Sequence, residues 1–458
     1  MRHNKRRRQK KLPSESIEID IQRLSHDGRG VGNIAGKIAF VQGAITGERV
    51  IAQYTGQRKQ FDELNTIEVL EPSPDRVTPP CMHADICGGC AMQHIAPAVQ
   101  IALKEKVLHD HLAHIGGLNK FDTIAPMLSQ TEGYRRKARL GARYVSKKES
   151  LLIGFREKNS SFIAEMGTCA VLNPAVSALI MPLRELLVNF DGRMVLPQIE
   201  VAVGENAQPD ANGVHLAEQV ALVVRHLEAL SEKDLEALLA FAQQRDLQMY
   251  LQPKGADSIH KVWPADDEER LYYYLPDFKL RMAFHPVDFT QVNGELNRKM
   301  IAFALDLLDP QPDETVLDLF CGLGNFTLPI ATRCKRVVGV EGSEEMVRRG
   351  FENAHGNGIE NASFYSADLT KEFDEKTWAQ PVYDKILLDP PRSGALEIIP
   401  RLAAFKAKKI VYISCNPATL ARDAGELAKH GYVMTQAGVM DMFPHTGHVE
   451  SIAEFVLR

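Results

Sequence analysis

The sequence predicts a multidomain chain with a small N-terminal β-barrel, an α+β centre that carries four cysteines, and a C-terminal doubly wound α/β domain. Three observations predict it. Short alternating runs between Ser14 and Pro72 are separated by glycine turns, buried-strand runs alternate with helical ones from Thr315 onward, and positive charge is concentrated early in the chain. With 458 residues, 45% hydrophobic and 25% charged, the chain can bury several cores, and its length suits about three domains. No apolar run reaches roughly 18 residues, and no apolar stretch follows the N-terminus, so neither a membrane span nor an export signal is expected. A cytoplasmic protein is the expectation. The net charge of -5 hides an asymmetry: residues 1–160 hold 26 Lys and Arg against 17 Asp and Glu, and the remainder 28 against 42. A basic first third suits a polyanionic partner.

Residues 1–13 open with seven Lys or Arg, a self-repelling block read as a disordered arm able to contact phosphates. Residues 14–73 contain the runs Ile17 to Leu24, Lys37 to Val41, Glu48 to Tyr54 and Asn65 to Leu70, broken at Gly28, Gly30, Gly32, Gly36, Gly43 and Gly47. So many short strands in so few residues predict an OB-like barrel. The wording HDGRGVGNIAGKIAFVQGAITGERV resembles the TRAM domain, which implies an RNA-binding barrel.

Prolines at 72, 74, 79 and 80 mark a linker into the central domain, taken as residues 74–96 and 125–285. Cys81, Cys87 and Cys90 stand close together beside Gly88 and Gly89, and Cys169 lies downstream. Four thiolates suit a [4Fe-4S] cluster or a tetrahedral zinc; three clustered cysteines with one remote favour the cluster. Seven cysteines without an export signal make a disulfide framework improbable. Residues 97–124 begin with a helical pattern ending at Gly116-Gly117 and are expected to pack on the catalytic domain. The run Tyr134 to Arg143 has five cations and reads as a contact to RNA backbone.

Residues 286–458 form the Rossmann-like α/β domain. Thr315 to Phe320 reads as a buried strand, Cys321-Gly322-Leu323-Gly324-Asn325 as the glycine turn into a helix, and Glu341 ends the next strand nineteen residues after Gly322. An acid at that distance accepts from ribose hydroxyls. The turn departs from the pyrophosphate pattern, which favours S-adenosylmethionine (SAM), with Asp368 towards its adenine. Cys321 and Cys334 read as packing residues.

Asp389-Pro390-Pro391-Arg392 ends one strand, Cys415 ends the next, and His445-Thr446-Gly447-His448-Val449-Glu450 joins two more. All three are expected over one sheet edge. Carbon 5 of a pyrimidine attacks a methyl donor only after a thiolate has added at carbon 6, and a base must then remove the carbon-5 proton. Cys415 and Glu450 suit those two roles, and Phe289 could stack on a flipped base.

Together, DLFCGLGNF, LLDPPRSG, YISCNP and HTGHVE make the chain similar to the RNA uracil-C5 methyltransferases. The resemblance implies Cys415 as nucleophile and Glu450 as base. It implies Gln291, Phe320, Asn325, Glu341, Asp368 and Asp389 as SAM-site residues, and Cys81, Cys87, Cys90 and Cys169 as ligands of a [4Fe-4S] cluster. The barrel and the cysteines are similar to those of members acting on 23S ribosomal RNA, which is the partner implied; no obligate protein partner is expected, and the chain reads as a monomer. Other readings stand beside it: within the family, another uridine of ribosomal RNA, two uridines, or tRNA as target; an exocyclic-amine methyltransferase, which has no use for a thiol; and an RNA-binding assembly factor that keeps an inactive methyltransferase fold.

Overall fold

The computed structural model describes residues 12–206, 218–266, 269–373, 375–380 and 382–458. The basic block expected to contact phosphates lies, up to residue 11, outside the described residues. The chain divides into two compact units. One runs as far as Ala84 and includes Cys90–Lys104 and His445–Gly447; the other holds Asp85–Gly89, Glu105–Pro444 and His448–Arg458.

In the first unit six strands, β1 (Ile17–Asp20), β2 (Arg23–Leu24), β3 (Gly30–Ile34), β4 (Lys37–Gln42), β5 (Arg49–Gln57) and β6 (Phe61–Glu71), form one sheet in the order β1-β5-β6-β4-β3-β2. The β4–β6 pair is parallel and the others antiparallel. Since β1 and β2 are consecutive pieces of one segment, a single stretch of chain supplies both ends of the strand order. Ile19, Ala39, Val41, Val50, Ala52 and Leu64 fill the interior at alternate positions. β3 is absent from the sequence-predicted runs because two of its five residues are glycine, which weakens an apolar pattern. Gly32 is required there: a Cβ would come within 2.6 Å of the Asp20 carbonyl oxygen.

After the short piece Asp85–Gly89, the second unit continues with the C-terminal half of α1 (Pro97–His114), followed by β7 (Asp122–Thr123). Its first sheet combines β8 (Lys137–Val145), β9 (Ser150–Gly154), β10 (Gln198–Glu205), β11 (Glu218–Arg225), β12 (Leu247–Gln252) and β13 (His260–Trp263) in the order β13-β12-β11-β10-β8-β9. Helices α2 (Pro174–Ser177) and α3 (Ile180–Leu187) lie between β9 and β10 in sequence, and α4 (Glu232–Gln244) makes the crossover between the parallel β11 and β12. Ser231 caps α4 by accepting from the Asp234 backbone N–H at 3.1 Å. The hairpin β14 (Leu271–Leu275) and β15 (Leu280–Phe284) leads to α5 (Gly294–Leu308).

The C-terminal sheet is doubly wound. Its elements are β16 (Thr315–Leu319), α6 (Thr327–Ala331), β17 (Arg336–Glu341), α7 (Glu344–Gly356), β18 (Ala362–Ser366), β19 (Lys385–Leu388), α8 (Ile399–Ala404), β20 (Lys409–Ser414), α9 (Pro417–Lys429), β21 (Tyr432–Met440) and β22 (Glu450–Leu457). The order is β18-β17-β16-β19-β20-β22-β21-β7. β16 to β20 run parallel, and β22 returns antiparallel to β20. The parallel strands are buried on both faces, hence their continuous apolar runs. Chain order reverses between the neighbours β16 and β19, and beyond such a switch point a doubly wound sheet opens a crevice.

Candidate active site

The loops at the carboxyl ends of β16 to β20 enclose a cavity of about 790 Å³. Its donor side begins where β16 ends. Phe320 takes a left-handed φ of 64° and Gly322 one of 54°, so the chain turns sharply out of the strand. The Phe320 N–H still reaches the Val340 carbonyl at 2.8 Å, which ties the turn to β17. Glu341, at the end of β17, accepts from the Gly322 N–H at 3.1 Å through one oxygen and from the Ser343 N–H at 3.0 Å through the other. One carboxylate thus sets both the glycine turn and the start of α7. Each of its oxygens keeps a lone pair for a ligand hydroxyl.

Farther round, Asp368 accepts from the Thr370 backbone and hydroxyl at 3.1 and 2.6 Å and pairs with Lys371 at 3.1 Å. The hydrogen bonds from Thr370 and Lys371 hold its carboxyl down to about 2. Asp389, at the end of β19, is partly exposed to the cavity yet so enclosed that desolvation pushes its carboxyl up to about 7. Asp318 lies beneath, fully buried on β16; one oxygen accepts from the Thr327 hydroxyl and the other has no partner among the described residues. Burial, with Asp389 and Glu341 adding to it, raises Asp318 to about 8.

The acceptor side is set by register. Ser414 of β20 pairs with Ser451 of β22, so Cys415, one step past the first, and Glu450, one step before the second, meet at the same end of the sheet. Both line the cavity, together with Phe289, Arg392, Phe443 and His448. Burial pushes the Cys415 thiol up to about 11, Glu450 and Asp389 add to that, and Arg392 opposes them. Arg392 reaches His448 Nδ1 at 2.5 Å, and the His448 and Phe443 rings lie 5.4 Å apart. Phe289 is 76% exposed, with a face free for a flat partner.

Of the eight catalytic and SAM-site residues expected from the sequence, Gln291, Phe320, Glu341, Asp368, Asp389, Cys415 and Glu450 line this one cavity. Asn325 stands apart from the lining: it exchanges amide hydrogen bonds with Asn297 at 2.9 and 3.1 Å and accepts from the Tyr273 hydroxyl at 2.8 Å. Cys321 and Cys334 are buried in the core, as packing residues are. Asn416 is not among the site residues expected from the sequence. Its side chain caps α9 at the Ala418 N–H and donates to the Arg392 carbonyl at 3.0 Å, so it joins the Cys415 loop to the Asp389 loop. An asparagine before a helical proline is the capping signal that could have found it.

The basic run from Tyr134 divides. Arg136 is tied to Glu205 at 2.8 Å and Glu218 at 3.0 Å, and the half-buried Lys137 donates to the Asp288 carbonyl. These two hold the protein together rather than face a partner; Arg139 and Arg143 are exposed. None of the seven cysteines is in a disulfide. Among the described residues no group of three or more His, Cys, Asp or Glu side chains is arranged to hold a metal ion. The expectation of a four-cysteine centre therefore rests on spacing and resemblance; the Gly89 N–H donates to Cys87 Sγ at 3.4 Å.

A switch-point cavity flanked by an acid at the end of β17 and closed by a thiol and a carboxylate defines a SAM-dependent methyltransferase fold. A near full-length structural neighbour is the Pyrococcus abyssi tRNA (uracil-54, C5)-methyltransferase in complex with S-adenosyl-L-homocysteine, with a TM-score of 0.73 at 23% identity over 96% of this chain and 99% of that one. Residues 222–455 match the family described as tRNA (Uracil-5-)-methyltransferase, and the chain belongs to this family of RNA uracil-C5-methyltransferases. It is 51% identical to the 23S rRNA (uracil(1939)-C(5))-methyltransferase RlmD of Alcanivorax borkumensis, over 98% of each chain. To the RlmD of Hahella chejuensis it is 52% identical, over 98% of this chain and 99% of the relative. Among the described residues no helix is long and apolar enough to cross a membrane.

Proposed function

We propose that this enzyme transfers a methyl group from SAM to carbon 5 of a uridine in 23S ribosomal RNA, the one that its relatives' names call uracil 1939. The observation that carries the reading is the Ser414–Ser451 register, which sets a thiol and a carboxylate side by side at the acceptor end of the cavity. SAM, when bound, supplies an electrophilic methyl group. Cys415 adds through sulfur to carbon 6 of the flipped uracil, and the electron pair of the 5,6 double bond moves towards carbon 5 and the carbonyl. Carbon 5 forms its new bond to the methyl carbon as the bond from that carbon to the donor's sulfonium sulfur breaks, the electron pair staying on sulfur and S-adenosylhomocysteine leaving. Glu450 then takes the carbon-5 proton, the double bond re-forms, and the Cys415 sulfur leaves. Phe289 stacks against the extruded base, Arg392 favours the thiolate, and Gln291, Phe320, Glu341, Asp368 and Asp389 hold the donor, with Asn325 fixing the turn from behind.

The reading includes a TRAM-like, OB-like barrel at residues 14–73 as an RNA grip and a [4Fe-4S] cluster held by Cys81, Cys87, Cys90 and Cys169. The supports are the sequence patterns and, for the cluster, four thiols outside any disulfide. It also places the enzyme in the cytoplasm with its RNA. Methylation of 23S rRNA fragments in vitro, with the modified base mapped, tests the substrate; methyl groups on an exocyclic amine or on tRNA alone would overturn it. Iron and sulfide analysis of anaerobically purified protein tests the cluster, and stoichiometric zinc would displace it.

A further inference from the structure

A second large hollow, of about 1020 Å³, lies on the central domain and shares no lining residue with the first cavity. It runs over β8 and β9 and is walled by residues near Phe162 and near Met194. Along β8 the residues alternate: Ala138, Leu140 and Ala142 are buried, while Arg139 and Arg143 stand outward on either side of Gly141. Gly141 keeps the floor low, since a Cβ there would press to 2.9 Å against Ile163. Five cations line the hollow, Arg139, Arg143, Lys147, Lys148 and Arg156, against the single carboxylate of Glu157. Glu200 neutralises Arg139 at 3.0 Å, and Glu165 neutralises Lys148 at 2.9 Å. Among the described residues Arg143, Lys147 and Arg156 form no ion pair.

The same hollow exposes apolar surface. Phe162 is 61% exposed, Met194 65% and Leu227 61%, and such clustering on a surface marks an interaction site. Tyr144 and Phe155 already carry cations, Arg193 at 5.0 Å and Arg135 at 5.8 Å from their ring centres. Among the described residues neither a ring nor a cation lies against Phe162. Unpaired cations beside a bare aromatic face, in a long open groove, match a chain that is charged along its backbone and flat along its bases.

We propose that this groove binds a single-stranded stretch of RNA distinct from the target uridine, with phosphates at Arg143, Lys147 and Arg156 and a base on Phe162. It rests on the RNA-methylating reading only in its choice of polyanion. The test uses the full chain with oligouridylate as probe, and in parallel a 23S rRNA fragment. Arg143→Glu with Lys147→Glu should weaken oligouridylate binding at least about tenfold and reduce the slope of log affinity against log salt by about 1.4, two phosphates' worth. Phe162→Ala should weaken it about five- to tenfold, with the slope unchanged. SAM affinity and melting temperature should stay at wild-type values in both. Wild-type affinity and slope in the double variant would overturn the proposal. So would loss of polyglutamate binding with oligouridylate binding intact, which would give the groove to an acidic protein. Because oligouridylate contains no 23S sequence, a failure of the groove is distinguishable from a wrong substrate.

Discussion

Ser414 and Ser451 face each other across β20 and β22, and this single pairing determines that Cys415 and Glu450 open onto one cavity. The residues are far apart in sequence, yet neither rests on a flexible loop. Each is one step from a paired strand position, where backbone hydrogen bonds limit movement. A nucleophile and a base held this way can act in turn on two adjacent carbons of one small ring.

Removing the Cys415 sulfur should abolish methylation. Cys415→Ala is expected to retain SAM binding, since the donor-side residues lie across the cavity, and to lose turnover entirely. Wild-type enzyme should form a covalent complex with 5-fluorouracil-substituted RNA that survives denaturing electrophoresis, and the variant should form none. Turnover in the variant would exclude thiol addition.

Glu450→Gln separates addition from release. The thiol remains, so the adduct should form and receive its methyl group, but without the base the carbon-5 proton is lost slowly. Turnover should fall by roughly 10²- to 10⁴-fold, with enzyme–RNA adduct accumulating on unmodified RNA. Mass spectrometry of the trapped complex, showing the extra methyl group, is the check.

The thiol of the unliganded enzyme should be unreactive at neutral pH. Burial and the nearby Glu450 and Asp389 carboxylates raise it to about 11, so alkylation by iodoacetamide should climb with pH up to that region. A negative neighbour disfavours a second negative charge, so Glu450→Gln should move the alkylation profile to lower pH. A shift in the opposite direction would contradict the electrostatics. The rate is best followed at Cys415 by peptide mapping, since other thiols are present.

Asp318 should make the unliganded protein less stable as pH rises. Its folded value of about 8 lies above the ordinary unfolded carboxyl value of about 3.9. Its stabilising contribution is therefore complete below the unfolded value and is lost progressively as pH climbs to the folded one. Asp318→Asn, neutral throughout, should flatten this part of the melting profile and melt above wild type at pH 8. Parallel profiles for the two proteins would show that Asp318 is ionised when folded.

Asn325 and Glu341 should differ in what they affect. Asn325→Ala leaves Asn297 and the Tyr273 hydroxyl without their partner and should cost about 1–3 kcal/mol of stability, with SAM affinity reduced less than in Glu341→Ala. Glu341→Ala frees the Gly322 turn at the cavity wall and should mainly lower SAM affinity. Thermal melts and calorimetry on the same two variants make the comparison; equal losses of affinity would return Asn325 to the cavity lining.

Much of the site was legible because strand ends are legible. Phe320, Glu341, Asp389 and Cys415 each follow or close an apolar run of four to six residues, and a doubly wound sheet keeps its chemistry at those ends. The first unit was less legible: β3 carries glycines where a pattern needs apolar side chains, and it is recognisable only beside Asp20 and Ile19, which leave no space for a Cβ. Arg136 and Lys137 were misjudged for a related reason. A cation in a basic run looks solvated until its partners, Glu205, Glu218 and the Asp288 carbonyl, are brought to it from distant strands.

By itself the sequence determined the order of strands and helices in the C-terminal half, the glycine turn, and the types of group available at each strand end, because periodicity and turn chemistry are local. Only the tertiary structure decided that Asn325 stands behind the turn, that Asn416 joins two loops, and that Cys415 meets Glu450. Those outcomes depend on which strands become neighbours and in what register, and burial and pairing across the sheet settle that after local propensities have been satisfied.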